Sequence, residues 1–218
     1  MKKIFIVFSL LLLSGCMMPP PGDELVECPS GFKDCVELES NLSIAISDLE
    51  YRAPLRSPIV ISGKAKNYWF FEGNLPINLI DSNEDLIASG FAAAQGDWTA
   101  EGLIDFEGSL EFDTSASSGI LQILSDNPSG LYENQLEFSF PVRFVKGMVR
   151  EHIEANVGEI NPIDPVLGGS WYVLEISFTA DSSVLVTAED GHIQSRFSAD
   201  YVIDESGVVS LENILSVP

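Results

Sequence analysis

The sequence predicts an all-β protein in which a β-sandwich is followed by a small antiparallel β-meander. The first observation is a series of short β-rich segments, separated by turn-forming residues, that fills residues 47–145. The second is a set of alternating apolar and polar segments, joined by short turns, within residues 162–218. Apolar residues make up 45% of the 218 residues, so the chain can bury a core despite a formal charge of −22.

The N-terminus has the pattern of a secretory leader. Lys2 and Lys3 precede the apolar run 4–13, which would span only about 15 Å as a helix, half of the hydrocarbon core of a bilayer. The tetrapeptide Leu-Ser-Gly-Cys that ends at Cys16 resembles a bacterial lipobox. That resemblance implies a lipoprotein signal peptide at residues 1–15, and lipidation of Cys16 that anchors the chain on the extracytoplasmic side of a bacterial membrane. An ordinary secretory cleavage site beside an unmodified cysteine is the alternative.

Residues 16–46 are predicted to form a tether. Residues 19–21 are prolines, which favour an extended spacer that holds the folded part away from the bilayer. Cys28 and Cys35 are predicted to form a local disulfide in an oxidising compartment, and to remain free thiols if an oxidant is lacking. Because no histidine is nearby, the two cysteines are a poor metal site.

Seven candidate strands follow, with turn signals at intervals of roughly 8–12 residues. This spacing is typical of an immunoglobulin-like sandwich, although the Cys…Trp…Cys framework of antibody domains is missing. We therefore expect an immunoglobulin-like sandwich at residues 47–145. The candidate strands are 59–66, 69–71, 77–80, 86–93, 106–112, 120–124 and 136–145.

The residues of this region also resemble those of a known family. The similarity is carried by Trp-Phe-Phe-Glu-Gly-Asn-Leu-Pro-Ile at 69–77, Gln-Gly-Asp-Trp at 95–98, Asp-Asn-Pro-Ser-Gly at 126–130 and Pro-Val-Arg-Phe at 141–144. In this order they are similar to the immunoglobulin-like domain of bacterial spore germination. The resemblance implies an extracytoplasmic β-sandwich, often found on bacterial lipoproteins, with no catalytic residues to carry over.

Four consecutive aromatic residues, 68–71, are predicted to lie on a strand, where alternate side chains face opposite sides. Trp69 and Phe71 would share one face, and Tyr68 and Phe70 the other. One pair would enter the core, and the other would be either covered or exposed as a strip that can bind a peptide or a sugar ring. Trp98 has the same two interpretations, so Tyr68, Phe70 and Trp98 are the candidate binding aromatics.

Residues 146–161 are predicted to form a short helix or a linker. A helix over 148–158 would place Val149, Ile153 and Val157 on one face, with Gly147 and Gly158 limiting it to about three turns. The small antiparallel β region at 162–218 follows, with strands at 171–179, 184–188, 192–203 and 208–215. It is too short for a comfortably stable core, so we expect it to pack on the sandwich or on a second copy of itself.

The sequence contains no recognisable catalytic, cofactor-binding or metal-binding motif. His152 lies in the predicted helix and His192 beside a turn, positions where a histidine is normally solvated. Asp81, Asn83 and Asp85 have the alternating spacing of a calcium loop, but the closing bidentate Glu is missing and a hairpin turn explains them. We therefore expect no cofactor, no metal and no enzyme activity.

The strong negative charge argues against binding to nucleic acid, which requires a basic surface. The main hypothesis is a non-catalytic envelope protein, held at the membrane through Cys16, whose immunoglobulin-like domain binds or assembles with another envelope protein. The alternative is a carbohydrate- or peptidoglycan-binding module that uses Tyr68, Phe70 or Trp98 as stacking platforms. An enzyme in the C-terminal segment, using His192 or a perturbed acid, is the third hypothesis.

Overall fold

The computed structural model describes residues 34–38, 42–47 and 49–218. Within these residues, the strands form two sheets, and no helix is long and apolar enough to cross a membrane. The elements are β1 (Asp34–Leu38), β2 (Leu42–Ser47), β3 (Pro54–Leu55), β4 (Ile59–Lys66), β5 (Asn74–Asp81), β6 (Leu86–Ala94), β7 (Leu103–Leu110), β8 (Ser118–Leu124), β9 (Glu137–Phe144), α1 (Val145–Ile160), β10 (Tyr172–Ala180), β11 (Ser183–Glu189), β12 (Gln194–Ile203) and β13 (Val209–Ser216).

The first sheet folds over at β6 and forms the predicted sandwich. Its strand order is β1-β2-β4-β7-β6-β5-β8-β9-β3. β6 pairs with β5 along most of its length but with β7 only at residues 92–94. Small residues allow this corner, since a Cβ on Gly108 would lie 2.7 Å from the Cα of Ala92. The two layers enclose one core, whose fully buried members include Ile61, Leu75, Ile77, Leu79, Phe106, Leu121, Ile123 and Phe144.

The sandwich begins earlier than the sequence predicted. β2 pairs with β4 and buries Ile44 and Ile46 in the core. The predicted end of the tether at residue 46 is therefore wrong, because the alternating apolar residues of β2 form a half-buried strand. β1 contains Cys35 and pairs with β2. The signal peptide, the lipidation of Cys16 and the disulfide between Cys28 and Cys35 remain predictions, because they involve residues or side chains outside the described ones.

Helix α1 begins directly after β9 and is longer than predicted. The predicted apolar face is confirmed, because Val149, Ile153 and Val157 are all buried. The predicted limits are wrong, because Gly147 and Gly158 both lie inside the helix. Gly147 packs closely against the loop after β7, so that a Cβ would overlap the carbonyl oxygen of Ala116. Position 147 therefore requires glycine because of this tertiary contact, and not because the helix ends there.

The four C-terminal strands form the predicted antiparallel meander, in the order β10-β11-β12-β13. Each strand pairs with the next in the chain. Helix α1 covers one face of this sheet and thereby supplies the second layer that a meander of this size lacks. The shared core contains Val145, Met148, Val149 and Ile153 from the helix, and Ile176, Val184, Val186, Phe197, Ala199, Tyr201 and Val209 from the strands.

Asp190 is a buried carboxylate that ties the segment before β10 to the turn between β11 and β12. It accepts hydrogen bonds from the backbone N–H groups of Val166 at 2.6 Å, and of His192 and Ile193, both at 2.8 Å. Burial alone would raise the pKa of Asp190, but these three donors and the charge of His192 outweigh it and lower the pKa below its ordinary value.

The lowered pKa of Asp190 predicts an acid-sensitive contribution to stability. The contribution is complete above the unfolded-state pKa, about 3.9, and is lost as the pH falls through the lower folded-state pKa. Asp190→Asn should therefore lower the urea midpoint at pH 7 and flatten its decline below about pH 4. Urea unfolding from pH 7 to pH 2 measures both effects, with Asp164→Asn, on an exposed part of the chain, as the control. A decline parallel to that of the wild type would contradict this role of Asp190.

Candidate functional site

Three connections meet at one end of the sandwich. Residues 67–73 join β4 to β5, residues 95–102 join β6 to β7, and residues 125–136 join β8 to β9. Because the paired strands are antiparallel, all three connections lie at the same end. We call these three connections the loop end. Helix α1 and the meander follow from the opposite end, where β9 finishes.

Hydrogen bonds hold the connections of the loop end in place. The N–H of Asp126 donates to the carbonyl oxygen of Trp69 at 2.9 Å, and the N–H of Ala94 donates to that of Gly73 at 2.8 Å. The N–H of Glu72 donates to Oδ2 of Asp126 at 3.0 Å. The loop end is therefore a preformed surface.

The four aromatics at residues 68–71 do not form the predicted strand. Asn67–Trp69 is a 3₁₀ turn, followed by a hydrogen bond from the N–H of Phe70 to the carbonyl oxygen of Asn67 at 3.0 Å. The turn buries Trp69 and Phe70, and leaves Tyr68 and Phe71 exposed by 44% and 47%. The predicted alternation is wrong because a 3₁₀ turn does not place alternate residues on one face. Phe70 is thus a core residue and not a binding aromatic.

Trp98 is half-buried and lies against Gly73. A Cβ on Gly73 would lie 2.9 Å from Cδ1 of Trp98, and the φ of Gly73 is +76°, so the position suits glycine on both counts. Trp98 packs against the sandwich core while part of its surface stays accessible. Trp69 and Trp171 are buried, with 0% and 6% exposure. Trp98 is therefore the tryptophan that can contact a partner at the loop end.

Leu131 and Tyr132 are exposed members of the loop end that the sequence did not reveal as candidates. Their exposed fractions are 52% and 87%, and Tyr132 begins a second 3₁₀ turn, Tyr132–Asn134. One feature of the sequence could have revealed them. They are an apolar pair that follows a turn and lies outside every candidate strand, so no strand pairing is available to bury them. Phe71 was assigned to the wrong face by the strand prediction.

Side-chain hydrogen bonds fix the loop that presents Tyr132. The amide of Asn127 donates to the carbonyl oxygen of Leu131 at 2.8 Å, and its oxygen accepts from the hydroxyl of Ser129 at 2.6 Å. The amide of Asn134 donates to Oγ of Ser129 at 3.0 Å. The backbone N–H of Ser129 also donates to Oδ1 of Asn127 at 3.1 Å, which completes an Asx-type turn and holds the backbone locally. Tyr132 is thus presented on an ordered backbone, which reduces the entropy lost on binding.

The loop end is acidic as well as aromatic. The hydroxyl and the backbone N–H of Thr99 lower the pKa of Asp97, so this carboxylate is charged at neutral pH. A surface that combines carboxylates with aromatic rings suits a partner with basic and apolar side chains, through ion pairs and cation–π contacts. The carboxylates of the loop end are Glu72, Asp97, Glu101, Asp126 and Glu133.

The residues considered for catalysis or metal binding lie away from the loop end. His152 is on α1, and His192 is exposed in the turn between β11 and β12. The carboxylate of Asp81 accepts hydrogen bonds from the N–H groups of Asn83 at 2.8 Å and Asp85 at 2.9 Å. This pattern is that of a hairpin turn, as the sequence predicted. Among the residues that the structure describes, no group of three or more His, Cys, Asp or Glu could hold a metal ion.

Comparison with protein families gives a match to part of the chain. Residues 44–131 match the model of the immunoglobulin-like domain of bacterial spore germination. The match starts within β2, passes through β8 and ends in the last connection of the loop end. It confirms the resemblance of the residues at 69–77, 95–98 and 126–130, whereas those at 141–144 lie beyond the match. The match begins earlier than the sandwich boundary predicted from the sequence. Comparison with curated proteins gives no match.

Proposed function

Because residues 44–131 match the model of the immunoglobulin-like domain of bacterial spore germination, we propose that the chain is a lipid-anchored, extracytoplasmic interaction module of the bacterial envelope. The family suggests a non-catalytic module outside the cytoplasm. The lipobox-like tetrapeptide ending at Cys16 supports the anchor. The observation that carries the interaction role is the grouping of Tyr68, Phe71, Trp98 and Tyr132 on hydrogen-bonded connections at one end of the sandwich.

The partner that we propose is an envelope protein that presents basic and apolar side chains. Tyr132 and Leu131 offer apolar area, and exposed aromatic rings such as Tyr68 are the side chains that most often dominate binding energy at interfaces. The carboxylates around them favour a basic partner and disfavour an acidic one. Because α1 and the meander lie at the other end of the sandwich, they leave the loop end accessible.

Substitutions at the loop end test this proposal. The double variant Tyr68→Ser, Tyr132→Ser should recover at least tenfold less of the partner that the wild type binds in envelope extracts, with an unchanged melting temperature. Tyr172→Ser is the matched control. Tyr172 is an exposed tyrosine on β10, in the C-terminal meander, with 63% exposure. Equal recovery by the wild type, the double variant and the control would overturn the assignment of the loop end.

The anchor has its own test. Cys16→Ser removes the sulfur that would carry the lipid, and we expect this variant to lose the labelled fatty acid that the wild-type chain incorporates in growing cells. Equal labelling of the variant and the wild type would contradict lipidation of Cys16.

Carbohydrate or peptidoglycan binding is the second candidate function, favoured by the accessible rings of Trp98 and Tyr68. Titration with soluble peptidoglycan fragments should then change the tryptophan fluorescence in a saturable way. Trp98→Phe should abolish the change, because Trp69 and Trp171 are buried. Fluorescence that stays constant during the titration would remove this candidate.

A further inference from the structure

A cleft lies between the sandwich and the C-terminal unit, which consists of helix α1 and the meander of β10–β13. It has a volume of about 580 Å³, and a neighbouring lobe of about 490 Å³ shares four of its lining residues. The sandwich contributes the segment 55–58 and the loop 112–114, and the C-terminal unit contributes the start of α1 with parts of β10 and β12. The shared residues are Asp113, Thr114, Lys146 and Phe178.

Three basic residues and two acidic ones line the cleft and its lobe, in a chain with only 11 basic residues against 33 acidic ones. The basic residues are Arg56, Lys146 and Arg150, and the acidic ones are Asp113 and Asp181. Arg56 donates to the hydroxyl of Tyr201 at 3.1 Å and also to the carbonyl oxygen of Asp181. Lys146 and Arg150 line the smaller lobe. Nε of Arg150 is buried and has no hydrogen-bond acceptor. A buried donor without an acceptor is uncommon in a folded protein. This nitrogen is shielded from the lobe, so a ligand there would contact the accessible part of the Arg150 side chain.

The start of α1 also favours a negative charge in the cleft. Lys146 and Arg150 lie four residues apart in the first two turns, the first turn contains no acidic residue, and the N-cap makes no side-chain hydrogen bond. Cations at the N-terminus oppose the helix dipole, so this arrangement favours an added negative charge. The carboxylate of Asp113 provides a negative charge there, with Oδ1 at 2.7 Å from Nζ of Lys146. The Asp113 side chain is 81% exposed, and such a surface pair is worth about 1 kcal/mol or less, so a ligand can replace it.

Aromatic rings form the apolar walls of the same cleft. Phe112 lies edge-on to Phe144, with ring centroids 5.5 Å apart. Nζ of Lys146 lies 5.6 Å from the ring centroid of Phe178. A ligand that carries both a charged group and an apolar body would therefore satisfy the cations and cover the rings.

We propose that this cleft binds a small organic oxyanion, whose carboxylate or phosphate group contacts Lys146 and Arg150 and whose apolar body lies on Phe112 and Phe178. The chain's overall charge of −22 repels free anions, so binding depends on these short-range contacts. The apolar body then distinguishes the ligand from inorganic anions. The cleft lies at the opposite end of the sandwich from the loop end, so its test is independent of the proposed function.

Calorimetric titration of the full chain in detergent with phenyl phosphate, benzoate and inorganic phosphate tests the cleft, at constant ionic strength. We expect saturable binding of phenyl phosphate or benzoate, and at least tenfold weaker binding of inorganic phosphate. Phenyl phosphate binding alone would identify a phosphate ligand, and benzoate binding alone a carboxylate ligand.

Variants locate the binding. Lys146→Gln and Arg150→Gln should each raise the Kd at least tenfold. We expect Lys146→Gln to leave the fold intact, because the side chain of Lys146 is 46% exposed. Lys64→Gln is the matched control, since it removes a cation that pairs with Asp105 at 2.8 Å on the sandwich surface. Absence of binding, equal Kd values for phenyl phosphate and inorganic phosphate, or an equal loss in Lys64→Gln would overturn the proposal.

Discussion

Gly147→Ala is expected to destabilise the protein by about 3 kcal/mol, although alanine normally stabilises a helix relative to glycine. A Cβ at this position would overlap the carbonyl group of Ala116 and lie 2.6 Å from the backbone nitrogen of Ser117. Both neighbours are backbone atoms, so relief requires a movement of the helix or of the loop. Chemical unfolding measures the loss.

Gly158→Ala is the matched control in the same helix. Nothing lies within 4 Å of a Cβ built on Gly158, so we expect this variant to gain about 0.5–1 kcal/mol from helix propensity alone. Opposite signs for the two substitutions would show that the start of α1 is in contact with the loop after β7. A gain in both variants would contradict that contact, and with it the cleft beside it.

Trp69→Ala should cost about 3–5 kcal/mol, because the ring is fully buried in the sandwich core. Phe71→Ala should change the free energy of unfolding by about 0.5 kcal/mol or less, because the side chain is 47% exposed. A strand at residues 68–71 would instead place Trp69 and Phe71 on one face and make their losses comparable. Urea unfolding of the two variants therefore distinguishes the 3₁₀ turn from a strand.

The strands were predictable where alternation was bounded by turn residues on both sides. β4 covers the predicted residues 59–66, and its buried residues Ile59, Ile61 and Ala65 follow the predicted period. The meander was predictable for the same reason, since Asp190 and Gly191 mark the turn between β11 and β12. In these segments the local pattern and the tertiary environment agree.

The failures occurred where long-range contacts decided the local structure. Alternation cannot be read from four consecutive aromatics, and the turn that contains Trp69 is fixed partly by Asp126, a residue far along the chain. Gly147 has the sequence signature of a helix end, but its close approach to Ala116 explains it. Tyr132 was missed because its loop contains mostly polar turn residues. All three candidate aromatics lie at the loop end, where Tyr68 and Trp98 are accessible and Phe70 is buried.

Site-specific photo-crosslinking tests the proposed interaction surface most directly. A crosslinking residue placed at Tyr132 in the full-length chain should give a defined adduct with one envelope protein, and Tyr68→Ser should abolish that adduct. The same residue at Tyr172, on the exposed part of β10, should not give it. An adduct of equal yield at Tyr132 and Tyr172, or one that is insensitive to Tyr68→Ser, would contradict the loop end as the binding surface.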